Sequence, residues 1–227
     1  MPFQFQQFSV EDNQSTMKVG TDAVLLGAWA NVNQAKSILD IGTGSGVIAL
    51  MLAQRSHAMI DAVEPDKNSA EQAAANFKSS PWSDRLRVYN QRIQDFQHSH
   101  YDLIVSNPPF FSNSLLPPKA TRQTARHTET LSFDDLILAA KNSRLAIILP
   151  TAEGNLFREK ARDHGFHCNR SLAFYSRKNK PQERWLMEFS RNETEIATEI
   201  LLLYKEKDTW TEEYAALVKD FLTKVYH

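Results

Sequence analysis

The feature that most restricts what this 227-residue chain can fold into is a strand that is forbidden to continue. Tyr101-Asp102-Leu103-Ile104-Val105-Ser106 has the length and β-branched content of a buried strand. It runs into Asn107-Pro108-Pro109-Phe110, and neither proline has an N–H to offer a ladder. The strand therefore stops, leaving an amide side chain and a bare backbone carbonyl at its carboxyl end. In an open α/β sheet that edge is where ligands bind. A strand followed by a plain proline turn would read the same way in isolation, so the upstream sequence has to decide.

Upstream, Ser37-Ile38-Leu39-Asp40-Ile41 reads as a central strand that enters Gly42-Thr43-Gly44-Ser45-Gly46. A helix follows through about Gln54, with Val47, Leu50 and Met51 on one face. A glycine-rich turn between strand and helix lets backbone approach a ligand and aims helix-terminal N–H groups at it. The spacing is G-x-G-x-G, unlike the G-x-G-x-x-G of dinucleotide enzymes, and Asp40 stands two places before the first glycine. Met59 to Glu64 is a second strand ending in a carboxylate, where a doubly wound fold places the acid that accepts from ribose hydroxyls. Asp66 is placed to cap the next helix, whose buried face would be Ala70, Ala73, Ala74 and Phe77. Leu86 to Tyr89 is a third strand, with Gln91-Arg92-Ile93-Gln94-Asp95 beyond it, and the fourth strand delivers Asn107. Strands alternating with helices, with polar features at successive carboxyl edges, describe a parallel, doubly wound sheet.

The flanks are read more simply. Residues 1–17 are glutamine-rich with Phe3, Phe5 and Phe8, a short strand or arm. Lys18-Val19-Gly20-Thr21-Asp22 leads into a nearly all-apolar helix that Thr21 or Asp22 would cap. Beyond the proline motif, Ser112 to Thr130 is polar and aperiodic, and carries Lys119, Arg122, Arg126 and His127. Ser132 caps a helix to about Lys141, Arg144 to Pro150 is a fifth strand, and a helix spans Glu153 to His164. Residues 167–175 and 184–190 read as the two final strands. Between them Arg170, Arg177, Lys178, Lys180 and Arg184 face one acid, Glu183, which fits either a phosphate-binding surface or a solvated hairpin tip. Thr209-x-x-Glu212 reads as a capping box opening a terminal helix with Tyr214, Leu217, Val218, Phe221, Leu222 and Val225 on its packed face.

Composition limits the partners. A net charge of −1 gives no global field toward nucleic acid or an anionic membrane, so nucleic-acid contact must come from local patches. Cys168 is the only cysteine, which excludes an internal disulfide and fits a reducing compartment. The start lacks a basic segment followed by an apolar one, and no apolar run is long enough to span a bilayer. The expectation is a cytoplasmic protein with no membrane association, no metal and no DNA substrate.

With these parts assembled, the chain resembles the class I S-adenosylmethionine-dependent methyltransferases. Asp40 to Gly46 is similar to their first motif, Glu64 to the second, and Asn107-Pro108-Pro109-Phe110 to the motif of amino-group methylators. Within that class it looks most like the bacterial tRNA-1(Val) adenine-37 N6-methyltransferases, through Lys18 to Asp22 with Leu25 to Trp29, Ala125-Arg126-His127 and Arg184-Trp185-Leu186. The resemblance implies a seven-stranded, mostly parallel Rossmann-like sheet with an antiparallel last strand. It implies one domain over 1–227, with residues 1–36 packed on it as a lid for substrate and cofactor.

The same resemblance implies site roles. Lys18, Gly20 and Thr21 would meet the carboxylate side of S-adenosylmethionine, Asp40 with Gly42, Thr43, Gly44 and Gly46 its methionine part, and Glu64 with Pro65 its ribose. Many relatives place an acid where Arg92 stands, so Gln91, Arg92, Asp95 or a backbone group is left to meet the adenine. Between Lys141 and Arg144 the family carries a longer helix end; here only Asn142-Ser143 remain, through a tight connection or a missing loop. Asn107 and the Pro108 carbonyl would hold the target amino group, Pro109 ends the strand, and Phe110 would stack on the base. Lys119, Arg122, Arg126, His127, Arg177, Lys178, Lys180 and Arg184 are the candidates for tRNA phosphates. A guanine-N2 methylator of ribosomal RNA, a protein-glutamine methylator and a non-catalytic nucleotide-binding protein share parts of this pattern.

Overall fold

The computed structural model describes residues 1–97, 100–109, 131–206 and 208–222. After an antiparallel pair, β1 (Phe3–Gln4) and β2 (Ser9–Val10), come α1 (Thr21–Trp29), β3 (Ser37–Ile41), α2 (Val47–Arg55), β4 (Met59–Val63), α3 (Lys67–Lys78), β5 (Leu86–Tyr89) and β6 (Leu103–Ser106). Then follow α4 (Phe133–Ala140), β7 (Arg144–Pro150), α5 (Thr151–Asp163), β8 (His167–Tyr175), β9 (Arg184–Ser190), β10 (Ala197–Leu202) and α6 (Glu212–Val218). Eight strands form one sheet in the order β10-β8-β9-β7-β6-β3-β4-β5. Only β9 runs against its neighbours, between β7 and β8.

The sheet is covered on both sides. Ile38, Ile60, Leu103, Val105, Ala146 and Ile148 pack toward α1, α2, α3 and α6, whereas Leu39, Ile41, Ile104, Leu145, Ile147 and Leu149 pack toward α4 and α5. Strands buried on both faces have near-continuous apolar runs, which is why they were visible in the sequence. The doubly wound, mostly parallel sheet is present, with one strand more than the expected seven. The additional strand is β10, which ends in the apolar Ile200-Leu201-Leu202 but lies at the sheet edge, where of its six residues only Leu201 is buried. It pairs in parallel with β8, so the antiparallel strand is not the last one.

Several local expectations are corrected. The N-cap of α1 is Gly20 with no side-chain bond, since the Asp22 carboxylate is engaged by Arg184 instead (Nε to Oδ2, 2.9 Å). Thr211, not Thr209, caps α6, its hydroxyl accepting from the Tyr214 amide. Ala74 is exposed on α3, while Ser69, Gln72 and Asn76 are buried beside Ala70, Ala73 and Phe77. Helix α5 begins at Thr151, two residues early, because Pro150 fits its N-cap. The Lys141–Arg144 connection is tight: Lys141 takes a positive φ of 34° and the buried Ser143 returns an amide bond to Ala140. Asp66 and Ser132 cap α3 and α4 as read.

Candidate active site

The strand registers set the site. Ser106, Ile41, Val63 and Tyr89 lie level across β6, β3, β4 and β5. The next residue of each strand, Asn107, Gly42, Glu64 and Asn90, therefore stands at one carboxyl edge. At about 4.8 Å per strand, Asn107 and Glu64 flank the glycine turn about 10 Å apart. Cross-links hold this row. Ser106 Oγ donates to the Ile41 carbonyl (2.9 Å) while fully buried, Gly42 N donates to Val63 O (2.9 Å), and Asn90 Nδ2 donates to the carbonyls of Glu64 and Pro65 (2.9 and 3.0 Å).

The glycine turn is closely packed at Gly46 and open at Gly42. A Cβ on Gly46 would come 2.5 Å from the Phe77 ring, at a φ of +85° that side chains rarely adopt. A Cβ on Gly42, by contrast, would meet nothing within 4 Å. Glu64 braces the turn from the side: its Oε2 accepts from Gly44 N (2.8 Å) and its Oε1 from Asp66 N (3.0 Å). Burial raises the Glu64 pKa, and these two amide bonds oppose the rise. Each carboxylate oxygen retains a lone pair for a further donor.

Asp40 lies under the turn, 1% exposed. Its Oδ2 accepts from the Thr43 hydroxyl (2.6 Å) and its Oδ1 has no partner. Burial pushes its carboxyl up to about 7, opposed by the hydrogen bond from Thr43 and by the nearby backbone of Ala49. Asn107 Oδ1 and Ser15 Oγ are also buried and unpartnered. Buried polar atoms are normally paired, because an unmet one costs about 1–3 kcal/mol. Three orphans on the residues that bound one open turn fit a ligand with both polar and apolar parts, which S-adenosylmethionine has.

Lys18 is largely exposed, its Nζ donating to the Asp12 carbonyl (2.5 Å) and lying 3.4 Å from the Asp12 carboxylate. Gly20 and Thr21 open α1, Gln91 is exposed past β5, and Arg92 pairs with Asp95 (2.9 Å). Pro108 is buried and Pro109 exposed. Arg177 pairs with Asp208 and lies over the Tyr204 ring, whereas Lys178 and Lys180 are exposed in the β8–β9 turn. Phe110, Lys119, Arg122, Arg126 and His127 lie outside the described residues. Ser15, Ser69, Asn76, Asn90 and Ser106 escaped the sequence reading, because short polar residues give no periodic signal unless their partners are known. Among the described residues no three His, Cys, Asp or Glu side chains are grouped to hold a metal ion, and no helix is long and apolar enough to cross a membrane.

Sheet order, glycine turn and terminal amide together define a methyltransferase, and residues 14–130 match the family described as methyltransferase small domain. Solved structures with the same fold include a predicted O-methyltransferase of Agrobacterium tumefaciens (TM-score 0.66, 17% identity, covering 88% of this chain and 96% of that one). Another is a ribosomal protein L11 methylase of Lactobacillus delbrueckii (TM-score 0.58, 11% identity, covering 81% and 84%). Curated relatives are nearer in sequence. The tRNA1(Val) (adenine(37)-N6)-methyltransferase of Trichodesmium erythraeum is 46% identical, covering 98% of both chains. That of Pseudoalteromonas translucida is 42% identical over 98% of this chain and 99% of its own. The chain belongs to the tRNA1(Val) (adenine(37)-N6)-methyltransferase family.

Proposed function

We propose that this chain transfers a methyl group from S-adenosylmethionine to the exocyclic N6 of adenine 37 in tRNA1(Val), in the cytoplasm. The observation that carries the reading is the Asn107 oxygen, buried and unpartnered at the end of β6, one strand from the open glycine turn. S-adenosylmethionine, when bound, supplies a methyl group on a positively charged sulfur. Asp40 and the Gly42–Gly46 turn would hold its methionine part, Lys18 with Gly20 and Thr21 its carboxylate side, and Glu64 its ribose.

The acceptor nitrogen is a poor nucleophile, since its lone pair is delocalised into the ring. Asn107 Oδ1 and the Pro108 carbonyl accept from its two N–H groups, turn the lone pair out of the ring plane and stabilise positive charge on nitrogen. Proline at 108 fixes the direction of that carbonyl. No strong base is needed, because the nitrogen becomes acidic once methylated and releases its proton to solvent. An adenine beside an anticodon is already in a single-stranded loop, so little unstacking is required to present it. Phe110 is assigned the stacking face, worth about 1–3 kcal/mol per base.

The test is incubation of the purified protein with labelled S-adenosylmethionine and tRNA lacking the modification, followed by nucleoside mapping. N6-methyladenosine at position 37 of tRNA1(Val) is the expected product; 2-methylguanosine, or no label in RNA, overturns the reading. Asn107→Ala should lower kcat by about 10²–10³-fold with cofactor affinity preserved.

A further inference from the structure

The exposed-looking side of α3 is in fact buried. Ser69, Gln72 and Asn76 recur at helical spacing and form a polar stripe beside the apolar Ala70, Ala73 and Phe77. Each accepts a backbone N–H from the segment that joins the β1–β2 pair to α1. Glu11 N donates to Asn76 Oδ1 (3.0 Å), Gln14 N to Gln72 Oε1 (3.3 Å) and Thr16 N to Ser69 Oγ (3.1 Å). Asn76 does more, because its Nδ2 donates both to Glu11 O and to Ser45 O (2.8 Å each). It thereby joins this strap to the glycine turn itself.

The residue between the last two latched amides is Ser15, 8% exposed. A Cβ on Gly44 would lie 3.4 Å from its orphan hydroxyl oxygen. On its other side Gly44 is held by Glu64, which accepts from the Asp66 amide, and Asp66 Oδ1 accepts from Ser69 N (2.8 Å). Strap, turn and carboxylate thus share α3 and its cap as one support. The latch is not what retains the N-terminal pair: Gln6 Nε2 donates to the carbonyls of Lys219 and Leu222, and Phe5 and Phe8 stack in the core.

We infer that Ser69, Gln72 and Asn76 are positioning residues that latch residues 11–16 over the glycine turn, present the Ser15 hydroxyl to the cofactor, and set how fast cofactor leaves. This rests on the cofactor reading above. With the latch opened, the strap and Ser15 lift away, the cofactor dissociates faster, and the acceptor half of the site at Asn107 is untouched. The latch consists of neutral side-chain-to-backbone bonds, each individually weak enough to open and re-form.

The test compares Asn76→Ala, Gln72→Ala, Gln72→Glu and, as an anchor control, Gln6→Ala. Three measurements are made: S-adenosylhomocysteine affinity by calorimetry with its dissociation rate, the cofactor KM and kcat at saturating tRNA, and tryptic cleavage after Lys18 with and without S-adenosylhomocysteine. The two alanine latch variants should raise KM and the dissociation rate about tenfold, leave kcat within about twofold, and lose the protection of Lys18 by ligand. Gln72→Glu retains the acceptor and should restore the constants, while Gln6→Ala should not move them. Among the described residues the side chain of Gln72 hydrogen-bonds to the strap and not to the glycine turn, so its variant keeps the test open if Asn76→Ala does not fold. Unchanged dissociation in both alanine variants, or an equal effect in Gln6→Ala, overturns the inference. Absence of S-adenosylhomocysteine binding by the wild-type protein overturns the cofactor reading and the latch with it.

Discussion

Asp40 shows how one residue can carry a cost that only a ligand relieves. Its carboxyl is raised to about 7 chiefly by burial, with Glu64 adding to the rise. The folded state therefore keeps a proton that the unfolded chain, near the ordinary 3.8, has released. By linkage, the contribution of Asp40 to stability is greatest below about pH 4, falls as pH rises through the interval to about 7, and is level above it. Asp40→Asn should remove that slope, so urea unfolding should favour the variant over wild type at pH 8 more than at pH 4. A ligand that offers Oδ1 a donor favours the ionised carboxylate. S-adenosylhomocysteine should then bind wild type more tightly as pH rises from 6 to 8, by up to about tenfold per unit below the pKa, with a flat profile in Asp40→Asn. A flat profile in wild type would mean that Asp40 is already ionised before the ligand arrives.

At the scale of elements, α1 illustrates what long-range contacts do that local sequence cannot. It is apolar and buried from Ala23 to Trp29 and has no basic residue in its last turn. Its terminal carbonyls, and that of Asn31 just beyond its cap, are instead met by arginines from three other elements. Arg55 of α2 donates to Gly27 O and Ala30 O (2.8 Å each), Arg170 of β8 to Trp29 O (3.2 Å) from over the Trp29 ring, and Arg144 of β7 to Asn31 O (3.0 Å). Hydrogen bonds from a charged donor to buried carbonyls are worth about 1.5–3 kcal/mol. Arg55→Ala should lower stability by about 2 kcal/mol, a fall in Tm of about 4–8 °C for a chain of this size. Arg55→Lys should recover part of it, since an ammonium lacks the planar fork. The same contrast explains what could be read beforehand. Strands β3, β4, β6 and β7 announce themselves because burial on both faces demands apolar runs, and Asn107 because prolines end its strand. The Asp22 carboxylate looked like a local cap because its partner, Arg184, is 162 positions away in sequence. Ser69, Gln72 and Asn76 give no signal of their own, because the strap that covers them is met through backbone amides, which leave no side-chain signature.

For the molecule as a whole, the question is how a chain with a net charge of −1 engages a polyanion. Affinity for RNA comes largely from phosphate neutralisation, so local placement of charge has to replace a global field. The β8–β9 turn is well located for this, since β8 ends and β9 begins at the same sheet edge that carries Asn107. Two of its four predicted cations already have internal work. Arg184 ties β9 to α1 through Asp22, and Arg177 is committed to Asp208 and Tyr204, so both brace the turn. Lys178 and Lys180 are exposed between them. The double variant Lys178→Ala/Lys180→Ala should weaken tRNA binding and raise the KM for tRNA, leaving kcat and S-adenosylhomocysteine affinity unchanged. Each phosphate contact in a single-stranded segment contributes about 0.7 to the slope of log affinity against log salt, so losing both should reduce it by about 1.4. Binding measured across a salt series separates this from a change of fold, which would alter affinity without changing the slope in proportion to the charges removed. An unchanged slope would remove this turn from the RNA surface and leave Lys119, Arg122, Arg126 and His127 as the cations to vary.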